Sequence, residues 1–401
     1  VMMLNSDGTV TPVSPTSFSA VFNDSNKYAF GNQSGGQGNF GGTGRVALNP
    51  TNRTESVLFS DTPNGSNMHG YVITSGAISG SINSFDSVSI TPASYLGHWY
   101  NPYDATKLYI FMTFGSQYNV RVIECSVAVS GLTWVSTTDT GARTQNWNSS
   151  LQYNHAESAD GDVRWILSRA NTNECKAAQI KYDGSSWTTI GGSTGSTLDS
   201  SSNGITSTKY DGELSIAWSK TVSGLFVKAN GLVLQSGKID WDTGNVTLAS
   251  PQAIYWSSSG YGSTGNQSHY PALNISENNR VAVIYRHDTS WAQVKFAVMD
   301  LNTSTYGLSQ NGYGQTLVSA PNGNSGMPLD VCFPIGSNYG AISYAQSDAN
   351  DSNTNTTKAM VNLNGSGATY AITDTYYQSQ DDVFLSIAKF QECPIQKGHM
   401  S

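Results

Sequence analysis

Three histidines, His98, His155 and His269, stand at matching places just before β-rich segments, and two have a tyrosine close by, Tyr153 with His155 and Tyr270 with His269. A histidine–tyrosine pair is what a polysaccharide lyase needs to take up and deliver a proton, and histidine is the usual general base or metal ligand near neutral pH. The plainer alternative weighs more. Recurrence at one place in a repeat puts the residues in different structural units, which argues for a shared task such as bonding a neighbouring loop. If the chain is an enzyme, His155, Tyr153, His269 and Tyr270 are its catalytic candidates.

Carboxylates are thin around these positions, with Glu157, Asp374, Asp381 and Asp382 the nearest. A glycosidase flanks one bond with two carboxylates, whereas adjacent Asp381 and Asp382 on a strand would point to opposite faces. The run from Lys181 to Trp187 is only a partial likeness of the sialidase-type box. No GxSxG, P-loop or HExxH occurs, and the glycine-rich stretch 35–42 lacks a strand–helix context, so it reads as a loop. The four cysteines show no CxxC or Cys/His ligand spacing, so no metal and no cofactor are expected. Cys125–Cys175 or Cys332–Cys393 could form disulfides; the simpler reading is four small buried hydrophobes.

Aromatics offer a second kind of chemistry. Tryptophan and tyrosine stack on the apolar faces of sugar rings while Asn, Ser and Gln bond the hydroxyls. Six such residues, Trp99, Trp147, Tyr153, Trp256, Tyr261 and Tyr270, fall in or beside long glycine-hinged connections, where binding residues on rigid scaffolds usually lie. They are the candidate ligand-binding set, against the alternative that they pin the connections onto the scaffold.

What must position them is a repeat. Aromatic anchors recur as Ser84-Phe85, Thr133-Trp134, Ser186-Trp187, Asp240-Trp241, Thr305-Tyr306 and Thr369-Tyr370. Each follows a β-rich run: Ser56–Phe59, Leu108–Phe111, Trp165–Leu167, Leu214–Trp218, Val281–Tyr285 and Ala341–Tyr344. A fixed period without helical signature means radially repeated sheets, a β-propeller. Asn49–Asn52, Asn101–Asp104, Ala159–Asp162, Asp211-Gly212, Ser276–Asn279 and Ile335–Asn338 read as the turn before the second strand. A seventh run, Phe384–Ala388, echoes Leu214–Ala217, and Val1–Gly8 resembles the third strands Ala297–Asn302 and Ala359–Gly365. The expectation is therefore all-β: one seven-bladed propeller domain over 1–401, its four-stranded antiparallel blades ending in one shared by about 1–20 and 378–401 and closed by both termini, which removes an exposed edge. The recurrent aromatics should pack between blades, and Leu225–Gly237 and Gln346–Lys358 read as an insertion and a long loop.

Composition narrows the partners. Only 12% of residues are charged and the net charge is −8, which excludes the basic stripe that nucleic acid requires. No apolar stretch approaches a bilayer span, so no membrane insertion is expected. Polar, weakly charged, turn-rich β-chains are typical of extracellular proteins.

The repeats Asn101–Asp104, Leu108–Phe111 and Val127–Trp134, with Asn49-Pro50 and Tyr71–Gly76, resemble the propeller repeats of tail-fibre and other virion-surface proteins of bacteriophages, marine ones especially. The resemblance implies an extracellular or virion-surface location and non-enzymatic host attachment through a cell-surface glycan or receptor. It further implies other virion proteins as partners and a homo-oligomer. It carries no site motif. A lyase or hydrolase on the same scaffold and a purely structural ring are the alternatives.

Overall fold

A computed structural model describes residues 2–4, 10–12 and much of 45–378. The stretches 13–44, 144–151, 199–213, 255–270, 320–326 and 379–401 lie outside the described residues, as do several shorter turns. Regular structure among the described residues is entirely β.

A hairpin of β1 (Met2–Leu4) and β2 (Val10–Pro12) comes first. Six antiparallel meanders follow, each ordered in the sheet as in the chain. The first blade is β3 (Arg45–Leu48), β4 (Glu55–Asp61), β5 (Met68–Thr74) and β6 (Ala77–Ile82), trailed by the small hairpin β7 (Ser84–Phe85) and β8 (Val88–Ser89). The second is β9 (Tyr95–Asn101), β10 (Asp104–Phe114), β11 (Asn119–Ala128) and β12 (Gly131–Arg143). In the third, β13 (Gln152–Glu157), β14 (Val163–Ala170) and β15 (Cys175–Tyr182) precede an outer strand in two pieces, β16 (Trp187–Ile190) and β17 (Ser196–Thr197). The fourth repeats this with β18 (Leu214–Trp218), β19 (Leu225–Asn230), β20 (Val233–Ile239), β21 (Val246–Leu248) and β22 (Gln252–Ala253). So does the fifth, with β23 (Ala272–Ile275), β24 (Arg280–His287), β25 (Gln293–Leu301), β26 (Leu308–Gln310) and β27 (Gln315–Ser319). The sixth is β28 (Met327–Cys332), β29 (Tyr339–Ser347), β30 (Thr354–Asn362) and β31 (Ile372–Gln378).

First strands of successive blades stand side by side, β3 by β9, β13 by β18, β18 by β23 and β23 by β28, which makes the arrangement a β-propeller. Its core is divided among the seams. Five apolar clusters join neighbouring blades, one for each seam from the first blade to the sixth. This explains the second strands. A sheet covered on both faces needs apolar residues without alternation, and Leu108, Tyr109, Ile110, Phe111 and Met112 are all buried.

The seams are also bonded by polar side chains that reach main-chain carbonyls. His98 reaches Val57 O at 2.9 Å, Thr189 reaches Thr140 O at 2.5 Å, and Asn274 reaches Val331 O at 3.2 Å. Asn278 and Arg280 share Leu363 O, at 2.9 and 3.1 Å, and Ser236 bonds Tyr306 O.

Three expectations need correction. Leu214–Trp218 is the first strand of its blade, and the supposed insertion at 225–237 is its second and third strands. The turn that matters lies at 219–224, where the Ser219 hydroxyl accepts from the N–H groups of Thr221 and Val222, a turn made without the Asn-Pro or Asp-Gly signal. Most of 346–358 is strand too, because β29 runs to Ser347 and β30 resumes at Thr354. Phe85 sits in the β7–β8 hairpin, while the outer strand of the first blade is β6. β1 and β2 pair as an antiparallel hairpin of their own, and Phe384–Ala388 lies outside the described residues.

Candidate functional site

A meander gives each blade two unlike ends. At one end lie the turns from first to second and from third to fourth strand. At the other arrive the connections 144–151, 199–213, 255–270 and 320–326 from one blade to the next.

The turn end is knit together. In the first blade Asn49 Oδ1 accepts from the N–H groups of Thr51 and Asn52, and its Nδ2 donates to Glu55 Oε1 at 2.8 Å. Tyr100 of the second blade donates to the same oxygen at 3.1 Å. Burial, then the Glu55 carboxylate, push the Tyr100 phenol far above its ordinary range. Between the fourth and fifth blades, Ser219 and Thr221 donate to Asn279 Oδ1 at 2.9 and 3.1 Å. Asn279 itself lies at φ +58°, a left-handed position that Asn tolerates better than most residues. Asn338 of the sixth blade accepts from Asn278 N–H at 2.8 Å.

The turns from third to fourth strand repeat one device. Asp183, Asp240 and Asn302 each accept the N–H groups two and three residues on, closing Asx turns. The N–H groups of Ser186 and Ser185, then their hydroxyls, hold the Asp183 carboxyl well below the usual range; those of Thr243 and Asp242 lower that of Asp240. These carboxylates are occupied by their own turns, which makes them structural.

His98 shows what its repeat position does. Its Nε2–H donates to Val57 O, and Nδ1 accepts from the Tyr95 hydroxyl at 2.5 Å, so one neutral tautomer satisfies both contacts. The ring is 4% exposed and packs edge-on to Phe59, with centroids 4.7 Å apart. This imidazole is a strut between the first and second blades. His155 occupies the corresponding row of the third blade: it pairs with Trp165, and Trp165 with Ile180, as His98 pairs with Ile110, and Ile110 with Ile123. Tyr153 lies on the same strand, opposite Leu167.

Among the aromatic candidates, Trp99 is half-buried on β9 and meets Phe111 edge to face at 5.1 Å, within the seam to the third blade. Trp147, Trp256, Tyr261, His269 and Tyr270 lie outside the described residues. The reach of the turn residues has no local signature in sequence: Asn278 and Asn279 read as turn formers, yet both also bond to neighbouring blades. Cys125 and Cys175 are free and buried in different seams, as the simpler reading had it. No group of three or more His, Cys, Asp or Glu able to hold a metal exists among the described residues.

No family model matches the chain, and no curated protein matches it. Solved structures similar to it include a protein from Lactobacillus plantarum, at 12% identity and a TM-score of 0.47, covering 86% of this chain and 85% of that one. The Aleuria aurantia lectin, a six-bladed propeller with a fucose-recognition mode, is 12% identical with a TM-score of 0.40, covering 83% and 95%. The aldose sugar dehydrogenase of Streptomyces coelicolor, in a PQQ-bound form, is 11% identical with a TM-score of 0.38, covering 83% and 92%. Likenesses at this level assign this chain no ligand.

Proposed function

We propose that the chain is a non-enzymatic recognition propeller that binds a cell-surface glycan through the end of the ring where the long connections arrive. The observation that carries this is the asymmetry of the two ends. Side chains at the turn end bond their own turns and the neighbouring blades. The opposite end receives the connections that carry Trp147, Trp256, Tyr261 and Tyr270. A rigid ring holding long aromatic segments at one end suits stacking on sugar rings, with several weak contacts summed by avidity.

The same reading takes the ring to seven blades. The hairpin of β1 and β2 supplies third and fourth strands, and the run at 384–388 supplies an inner one. Deleting residues 1–12 then opens a sheet edge and lowers the melting temperature by more than trimming a loop does. Display on a virion or secretion by a cell follows from the repeat resemblance, and immunogold labelling of particles and culture medium tests it.

Binding is checked with monomeric protein on arrays of bacterial and algal polysaccharides. Trp147→Ala with Trp256→Ala abolishes retention while the melting temperature stays put. Retention equal to wild type defeats the assignment. New reducing ends or unsaturated products in the same incubations would favour the lyase or hydrolase reading.

A further inference from the structure

Three arginine side chains stand among the described residues, and they differ in what answers their charge. Arg280 is buried and its Nε donates to Asp300 at 2.9 Å. Arg121 and Arg143 make no ion pair among the described residues, in a chain with 28 acidic side chains against 20 basic ones. Unmatched arginines are therefore out of keeping with the composition around them.

Both lie on one face of the second blade. Arg143 ends β12 and pairs with Asn119, which pairs in turn with Phe114 at the end of β10. Arg121 stands in the next row of β11, between Met112 and Asp139. Met112 belongs to the cluster joining the first and second blades and Phe114 packs against it, so this face is the one turned to the first blade. Phe114, Asn119 and Arg121 are half-buried, and Arg143 is exposed. The strand directions place the group at the connection end, since β12 runs directly into 144–151.

The two side chains start from fixed points. The Arg121 guanidinium carbon lies 4.9 Å from the centre of the Phe114 ring, a cation–π contact that holds the plane and spends none of its N–H groups. Before Arg143, β12 uses four residues where β11 uses two, with Gly141 at φ +77°. The Thr140 hydroxyl pins this bulge by donating to Val120 O at 2.8 Å. Asp139, opposite Arg121 in register, has Oδ1 taken by the Gly141 N–H at 2.8 Å. Two guanidinium groups that are diagonal neighbours on adjoining strands repel each other until an anion lies between them, and their planar forks match a carboxylate or a sulfate.

We propose that Arg121 and Arg143 form an anion subsite for the charged substituent of an acidic polysaccharide, a uronate carboxylate or a sulfate ester. This rests on the reading that the connection end binds a glycan, and it names the class of glycan. With a net charge of −8 the chain repels a polyanion over most of its surface, so such a ligand has to meet a place where positive charge is unanswered.

Surface plasmon resonance of the full chain on polygalacturonate, dextran sulfate and neutral dextran tests it, at physiological salt. Wild type binds a charged polymer, and which of the two it binds identifies the substituent. Arg121→Gln with Arg143→Gln weakens that binding by about tenfold or more at an unchanged melting temperature. Arg121→Lys with Arg143→Lys restores part of it, because lysine keeps the charge and lacks the fork. Lys181→Gln with Lys238→Gln removes as much charge from the turn end and leaves binding as it was. Charged-polymer binding that survives the arginine-to-glutamine pair, or falls equally with the lysine pair, overturns the proposal. So does the absence of binding to both charged polymers. Binding to dextran that depends on Trp147 and Trp256 and ignores the arginines would overturn the subsite alone, and the glycan reading would stand. Arginine-dependent binding that ignores both tryptophans would leave the subsite standing and defeat the stacking that reading relies on.

Discussion

Trp187 and Trp134 occupy the same place in neighbouring repeats and have opposite surroundings. Trp187 stands edge-on to Tyr109 and Phe111 of the preceding blade, with centroids at 5.1 and 5.7 Å, and lies beside Tyr182. Trp241, one blade further on, is 7% exposed against Trp218 and joins a cluster that includes Cys175, Ala177 and Leu198 of the third blade. Tyr306 packs, partly buried, against the cluster that joins the fourth and fifth blades. Trp134, 37% exposed, instead faces outward past a bulge at Val135. A repeat position thus fixes where a side chain starts, and the adjoining blade decides whether it is covered.

Several substitutions sharpen or break that contrast. Trp187→Ala and Trp241→Ala should each cost about 3–5 kcal/mol, read as a fall in the urea midpoint, because each empties a seam filled from two blades. A cost near that of a surface site would show the seams to be loosely packed. Arg280→Met comes next. Its guanidinium is buried and donates to Asp300 at 2.9 Å and to Leu363 O, and its loss takes a charged donor from that carbonyl, which keeps its bond from Asn278. Asp300 is half-exposed, so the ion pair counts for little, and the expected cost is about 1–3 kcal/mol.

Tyr100→Phe should cost about 1 kcal/mol at neutral pH, with a pH signature of its own. The unfolded chain releases a tyrosine proton near pH 10, whereas burial, then Glu55, hold it on Tyr100 in the folded state to higher pH. Above about pH 10 the unfolded state therefore binds fewer protons, and stability declines as pH rises. Tyr109, raised chiefly by burial, adds to the same slope. Urea midpoints on either side of that pH should show a shallower decline for Tyr100→Phe than for wild type. The smallest effect belongs to the outer strand of the second blade: Trp134→Ala should stay within about 0.5 kcal/mol of wild type. A larger loss would place Trp134 with the seam aromatics.

Much of this was legible in the chain. Second strands such as Leu108–Phe111 and Val281–Tyr285 announce themselves because burial on both faces forces continuous apolar runs. The fourth blade looks one strand out of step in sequence because its defining turn is closed by a serine hydroxyl, and Leu214–Trp218 is apolar enough to pass for a second strand. The packing of Trp187 and Trp241 was expected. The exposure of Trp134 was not, since it depends on a one-residue bulge that sets Val135 out of register and leaves no mark in composition. Of the candidate site, the strut at His98 followed from repeat logic, whereas its acceptor, a main-chain carbonyl 41 residues away, has no side-chain identity to read.

Main-chain acceptors of this kind bear on how such a ring evolves. His98, Thr189, Ser236, Asn274, Asn278 and Arg280 all close their seams on main-chain oxygens. Every residue type supplies the same oxygen, so the accepting blade is free to drift in sequence so long as its strand keeps its place. At these bonds the donor alone needs a particular side chain, and a duplicated blade inserted into the ring would meet a ready acceptor on arrival. Blades joined this way can diverge until their kinship survives as a rhythm of turns and apolar runs.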